Sequence, residues 1–293
     1  MNAYDESVAR VRISPTVRIP QVGFGTFQIP PEDTQRAVEA ALQLGYRHID
    51  TAAGYNNEAG VGAAVRASGL PRDEIFVTTK LRNVDQGADS ARRAFEASLT
   101  ALGIDVVDLY LIHWPAPSKG LYVETWQTLV KLHEAGAVRA VGVSNFEAEH
   151  LERIIRETGT TPAVDQLEVH PTFSQPDVLR TCAERGITVE AYSPLGQGAD
   201  LRDPVVVAIA DRIGATAAQV VLAWHIGRGR VVIPKSVHEK RMEENLAAGA
   251  VTLSDEDLDS IDALHRADGR IGGDPKTFAF PQTPEDEVAR SGK

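Results

Sequence analysis

Asp50, Tyr55, Lys80 and His113 are the residues of this chain whose types and spacing suit shared chemistry. Each has an ordinary alternative. A lysine at a strand end is usually solvated, and an aspartate there often caps a helix. A histidine before Trp114 and Pro115 often only packs, and a loop tyrosine often only covers a mouth. Together they suit one task. A free tyrosine titrates at about 10, too high for easy acid work at neutral pH. A cationic Lys80 beside Tyr55 stabilises the phenolate and lowers that value. Asp50 pairs with Lys80 and holds it in place, while His113 donates a hydrogen bond to a substrate oxygen. Such a set suits proton donation to a carbonyl oxygen that is becoming an alkoxide. It contains no serine or cysteine nucleophile, no second carboxylate for acid/base pairing and too few ligands for a metal. Carbonyl reduction needs a hydride that no side chain supplies, so a nicotinamide cofactor is expected.

The fold must bring these residues together. Asp50, Lys80 and His113 each end a short strand-like run: His48–Asp50, Phe76–Lys80 and Val107–His113. Neighbouring strands lie about 4.8 Å apart, so adjacent strand ends converge. Tyr55 follows in the loop after Asp50 and hangs over the same end. Five more runs, Val22–Phe27, Ala140–Asn145, Ala163–Val169, Thr188–Pro194 and Val231–Lys235, bring the total to eight. They recur about every 30 residues, the size of a strand–helix unit. Residues 34–44, 124–135, 147–157, 176–185 and 217–226 between them read as helices. Ala37, Val38, Ala41, Leu42 and Leu44 form a stripe of helical period that Gly45 stops. Pro176 opens another helix and Gly186 closes it. Residues 217–226 are apolar nearly all round, which predicts a buried helix.

Parallel runs each followed by a helix, with no composition break, predict one closed (β/α)8 barrel over residues 1–293. An open doubly wound sheet needs a Gly-rich phosphate turn after its first strand. Gly23 and Gly25 provide two glycines without the third, and no helix starts there. P-loop and HExxH patterns are absent. Residues 11–19 read as a hairpin capping the barrel bottom. The tail after Ala267 is either frayed or a loop over the mouth.

Strand ends in the second half suit a cofactor. Ser144, Asn145 and Gln166 offer partners to a carboxamide, and Tyr192 suits stacking on a flat ring. The turn Ser193–Gly198 lets backbone approach a phosphate. Lys235, Ser236 and Arg241 follow the eighth strand, the usual barrel phosphate position. The net charge of −11 argues against nucleic acid or an anionic membrane as partner. Positive charge for an anion must then be local, and Lys235 with Arg241 supplies it. A composition 43% hydrophobic and 24% charged is globular rather than disordered, and this length needs no disulfide or metal staple. The lone Cys182 points to a reducing compartment. The first ten residues lack a signal-peptide core, and no apolar run reaches about 18 residues. A cytoplasmic monomer acting on a small molecule is expected.

Four stretches resemble the aldo-keto reductase superfamily: GYRHIDTAAGY from Gly45 to Tyr55, DLYLIHWP ending at Pro115, GVSNF ending at Phe146 and IPKS ending at Ser236. The likeness covers nearly the whole chain and looks strongest to bacterial reductases related to 2,5-diketo-gluconate reductase. It implies a (β/α)8 barrel that reduces aldehydes and ketones with NADPH, with hydride passing to the carbonyl carbon. Tyr55 is then the proton donor, supported by Asp50, Lys80 and His113. The resemblance places Ser144, Asn145 and Gln166 at the carboxamide and Tyr192 on the nicotinamide, with Gly25, Thr26 and Asp50 lining that end. It places Ser193, Leu195, Lys235, Ser236, Val237, Arg241, Glu244 and Asn245 along the phosphates and adenosine. Phe27, Tyr55, Arg82, His113, Trp114 and the C-terminal loop form the substrate pocket.

Four positions depart from the family pattern. Phe27 and Arg82 stand where many relatives carry tryptophan, and the Arg82 cation favours acidic substrates. Asp165 replaces a common asparagine. His238 stands where a hydroxyl or arginine often holds the 2′-phosphate, so Lys235, Ser236 and Arg241 must decide NADPH over NADH, the weaker alternative. Barrels of this family also serve as non-catalytic nucleotide-binding regulatory subunits, and the intact four residues argue against that role. A metal-dependent hydrolase is disfavoured by the sparse ligands.

Overall fold

Eight parallel strands follow one another around the core in chain order in the computed structural model, which describes residues 9–280 and 282. A two-stranded hairpin precedes them, β1 (Arg10–Arg12) and β2 (Arg18–Pro20). The eight are β3 (Phe24–Gly25), β4 (His48–Asp50), β5 (Phe76–Leu81), β6 (Val107–Ile112), β7 (Val138–Ser144), β8 (Val164–Glu168), β9 (Thr188–Tyr192) and β10 (Val231–Val232). Asp50 pairs in register with Thr78, and Lys80 with Leu111. The circle closes where Val22 bridges Val232. There Gly23 N–H donates to the Val232 carbonyl at 2.8 Å, and Val232 N–H donates to Gln21 at 2.9 Å. Closure leaves the sheet no edge, as the expected (β/α)8 barrel requires.

Among the described residues ten helices surround it: α1 (Pro31–Gln43), α2 (Glu58–Ala67), α3 (Ala88–Leu102), α4 (Tyr122–Glu134), α5 (Ala148–Thr158), α6 (Pro176–Arg185), α7 (Pro204–Ile213), α8 (Ala217–Gly227), α9 (Glu239–Ala247) and α10 (Asp255–Asp262). The five helices expected from sequence are all present. Of the ten, α7 and α10 stand outside the repeat and pack on α8. That covering is why α8 can be apolar on every side, with Val220 to His225 all buried. Its start is fixed by Thr216, whose hydroxyl accepts from the Gln219 N–H while the Gln219 side chain returns to Thr216 N–H. Among the described residues no single helix is long and apolar enough to cross a membrane.

The first and last barrel strands are shorter than the runs Val22–Phe27 and Val231–Lys235 predict. Pro234 has no N–H to give the ladder. Thr26 leaves the sheet, turning both its N–H and its hydroxyl to the Asp50 carbonyl at 3.0 Å. Along β6 the side chains alternate. Leu109 and Leu111 fill the barrel interior with Phe76, Ala140, Val164 and Val231, while Tyr110 and Ile112 face the helices. Ile13 and Ile19 of the hairpin region join that interior cluster. The hairpin therefore caps the barrel bottom as expected, and polar groups collect at the opposite end. The tail also resolves in favour of covering the mouth. Arg266 N–H donates to the Thr172 carbonyl at 2.9 Å, and residues 271–280 with Gln282 run on across the cavity.

Candidate active site

Asp50 is the last residue of β4, Lys80 lies near the end of β5, and His113 follows β6. Strand pairing thus sets three of the four side chains side by side. The fourth needs the loop. Thr51 donates to Asn57 Oδ1 at 2.8 Å, and Asn57 Nδ2 donates to the carbonyls of Thr26 and Ile29 at 3.0 and 3.2 Å. This fixes the 3-10 turn Ala53–Tyr55 over the strand ends. Lys80 Nζ donates to Asp50 Oδ1 at 2.6 Å, to the Thr51 carbonyl at 2.9 Å and to the Tyr55 hydroxyl at 3.4 Å. It also lies 5.0 Å from the Tyr55 ring centre. The Tyr55 ring packs on Phe27 at 5.0 Å and on His113 at 5.6 Å.

Lys80 and Asp50 are fully buried. Burial alone depresses an ammonium, but here the charge and hydrogen bond of Asp50 lead the groups that outweigh it, and Lys80 is held above its ordinary value. Burial pushes the Asp50 carboxyl up, against the pull of Lys80 and of the Gln166 amide. Removing one partner from such a pair strands the other charge, so the pair stands or falls together.

His113 is oriented from the tail. Asn83 N–H donates to Gln282 Oε1 at 2.9 Å, which turns Gln282 Nε2 toward His113 Nδ1, also at 2.9 Å. An amide nitrogen can only donate, so in the neutral ring Nδ1 accepts and the proton sits on Nε2.

The second half supplies a polar wall. Ser144 Oγ donates to the Gln166 carbonyl at 2.8 Å, Asn145 Nδ2 donates to the His113 carbonyl at 3.0 Å, and the Tyr192 hydroxyl donates to Asn145 Oδ1 at 2.7 Å. Asn145 and Ser193 hold φ of +62° and +46°. Non-glycine residues in that region are uncommon, and such strain gathers at functional sites. The cavity measures about 390 Å3. One side is lined by Gly25, Asp50, Ser144, Asn145, Gln166, Tyr192, Ser193 and Lys235, the other by Phe27, Tyr55, His113, Trp114, Phe278 and Phe280.

A buried cluster ties down the mouth. Glu168, the last residue of β8, accepts from Ile271 N–H at 2.5 Å and from Gly272 N–H at 2.7 Å. A Cβ on Gly272 would lie 2.5 Å from Glu168 Oε2, so a larger residue there would have to push the carboxylate aside. His170 stands between Glu168 at 3.4 Å and Asp200 at 2.8 Å. Burial would lower His170, but the two carboxylates reverse this and raise it. The cluster joins the C-terminal segment to the loop after β9, which carries Asp200.

These elements have counterparts in known proteins. The aldo/keto reductase family model matches residues 21–266. The chain belongs to the aldo/keto reductase family. An aldo-keto reductase of Mycolicibacterium smegmatis is 50% identical over 271 residues, covering 92% of this chain and 98% of that protein. The 9,11-endoperoxide prostaglandin H2 reductase of Trypanosoma cruzi is 44% identical, over 92% of this chain and 96% of its own length. A mutant of Gox0644 crystallised in complex with NADPH has a TM-score of 0.90 and 45% identity, covering 94% of this chain and all of that one. These names support the family as a whole rather than its diketogluconate branch.

In this aldo/keto reductase the structure brings together Asp50, Tyr55, Lys80 and His113, and around them Gly25, Ser144, Asn145, Gln166, Tyr192, Ser193 and Lys235. Thr26 supports Asp50 from below. Leu195, Ser236, Val237, Arg241, Glu244 and Asn245 lie outside the cavity lining. Val237 is exposed, Ser236 is buried and accepts from His238 N–H at 3.1 Å, and Arg241 is exposed on α9. Arg82 does not line the pocket, correcting the sequence expectation. Its guanidinium bonds Asp85 at 2.7 Å, so the cation is neutralised within its own turn. Asp165 is fully buried outside the cavity, and its oxygens find no regular hydrogen bond beyond the support of the Phe146 backbone. Burial pushes its carboxyl well above the ordinary carboxylate range, against the smaller pull of the Phe146 backbone. Sequence reasoning missed Glu168, although it ends a strand as Asp50 does. Gln282, Phe278 and Phe280 carry no sequence signal, because only chain reversal over the mouth makes them neighbours.

Proposed function

We propose that this chain reduces aldehyde and ketone carbonyls with NADPH, Tyr55 giving the proton to the oxygen. One observation carries the reading: the Tyr55 hydroxyl lies 3.4 Å from a buried ammonium that is itself 2.6 Å from a carboxylate, at the floor of the cavity. A non-catalytic nucleotide-binding barrel has no need of a buried ion pair beneath a tyrosine.

The residues present fit the cofactor. Gln166 spends its amide hydrogens on Asp50 Oδ2 at 2.8 Å and Glu190 Oε2 at 2.9 Å, which turns Oε1 toward the cavity as an acceptor for a carboxamide. Tyr192 offers a ring face beside it, and Lys235 a cation farther along. NADPH, when bound, supplies the hydride for the carbonyl carbon. Lys80 favours the phenolate that Tyr55 leaves behind, and Asp50 keeps Lys80 in place. His113, its proton on Nε2, positions the substrate oxygen. The aromatic side chains and the tail keep water from the reacting carbon.

Among the described residues the substrate half is aromatic and, with Arg82 paired to Asp85, offers no cation to hold a carboxylate. A panel of aldehydes, α-keto aldehydes and keto acids, followed by NADPH absorbance, should therefore show turnover with the first two classes and poor turnover of the acids. No oxidation of NADPH with any carbonyl would refute the proposal. Arg241 and Lys235 are the groups suited to the 2′-phosphate. Arg241→Ala should weaken NADPH roughly tenfold, the scale of one charged hydrogen bond, and NADH much less. Equal losses in fluorescence titrations of both cofactors would remove Arg241 from that role.

A further inference from the structure

Glu190 is a buried acid that the mechanism above uses only to hold the Gln166 amide. It lies on β9 two residues before Tyr192, and the period of a strand puts both on the inner face of the barrel. It is in register with Gln166 on one side and with Val231 on the other. Gln166 Nε2 bridges Glu190 Oε2 and Asp50 Oδ2, so two carboxyl groups converge on one amide in a space closed to solvent.

The surrounding charges do not balance two anions. Lys80 is committed to Asp50 at 2.6 Å. His48 on β4 is 3.4 Å from Glu190 Oε1, but burial first, and then Lys80, lower it to about 3, so it stays neutral. Val231 on β10 brings no charge. Burial and the Asp50 charge raise Glu190 to about 8, against the smaller pull of Gln166 and Lys80. At neutral pH Asp50 and Lys80 then cancel, and Glu190 keeps its proton.

We propose that Glu190 is a titratable acid beneath the nicotinamide end of the site, and that loss of its proton favours the oxidised over the reduced cofactor. The inference rests on the reading that Gln166 and Tyr192 hold the nicotinamide. The oxidised ring carries a positive charge and the reduced ring does not. An ionised Glu190 therefore attracts only the oxidised ring, in an interior where charge is poorly screened. By reciprocity, binding of NADP+ draws the proton off Glu190. Only the Glu190 O–H bond breaks, and the proton passes to the buffer.

Calorimetric titrations slightly below the Glu190 value, in buffers of different ionisation enthalpy, count that proton. NADP+ binding should release it, and NADPH binding should not. Over the range in which Glu190 ionises, the ratio of the NADP+ Kd to the NADPH Kd should fall on the order of tenfold as pH rises. Glu190→Gln copies the neutral acid in shape and should flatten both responses. A ratio independent of pH in the unaltered protein overturns the inference while leaving the function reading intact. Equal proton release in Glu190→Gln overturns it too, since another group is then responsible. Failure to bind either cofactor at any pH overturns both readings. Should Glu190→Gln not fold, assigned carbon NMR of the unaltered, cofactor-free chain decides: the Glu190 carboxyl itself titrating near 8 supports the inference, and its titration in the ordinary range ends it.

Discussion

Tyr55→Phe is expected to lower kcat by about 10²- to 10⁴-fold, the usual contribution of a positioned general acid, while NADPH binding stays almost unchanged. The substitution removes one oxygen and little else. A phenylalanine ring keeps the contact with Phe27 at 5.0 Å and the edge contact with His113 at 5.6 Å. Lys80 keeps its two shorter hydrogen bonds, to Asp50 at 2.6 Å and to the Thr51 carbonyl at 2.9 Å. The ion pair therefore survives, and so does the wall of Ser144, Asn145, Gln166 and Tyr192. Only the proton for the developing alkoxide is lost. Single-turnover kinetics with preloaded NADPH separate this from a binding defect. An unchanged kcat would remove Tyr55 as proton donor.

Lys80→Met is expected to abolish turnover and also to destabilise the fold by about 3–5 kcal/mol, the cost of leaving one member of a buried pair without its partner. Methionine roughly fills the space, so the loss is one of charge rather than volume. Asp50 would retain only the Gln166 amide, with Glu190 converging on that same amide. Adding Asp50→Asn removes the stranded charge. The double variant should regain much of the stability and none of the activity, a non-additivity that places the two residues in one unit. Denaturant unfolding of the single and double variants measures this. Additive losses would mean that Asp50 and Lys80 act independently, against the 2.6 Å geometry.

The barrel was legible because its signal is local. Short apolar runs alternating with helical stripes recur along the chain, and burial on both faces of a parallel sheet requires such runs. The chemistry was legible for a related reason. Asp50, Lys80 and His113 each interrupt an apolar pattern at the end of a strand, and in a parallel barrel all such ends meet at one rim. Glu168 obeys the same rule and was open to the same reasoning. Glu190 was not, because an acid in the middle of a strand looks like a solvent-facing residue until the direction of its face is known.

The sequence by itself determined the (β/α)8 barrel, the four residues at its rim and the need for an external hydride. Tertiary structure alone decided where the charges go. Arg82 reads as a pocket cation, yet its own turn supplies Asp85 to neutralise it. The tail reads as frayed or folded, yet Glu168 receives the N–H groups of Ile271 and Gly272, and Gln282 fixes the tautomer of His113. These outcomes depend on contacts between residues far apart in the chain, and a backbone N–H or a buried carboxylate shows nothing of its partner in the order of residues.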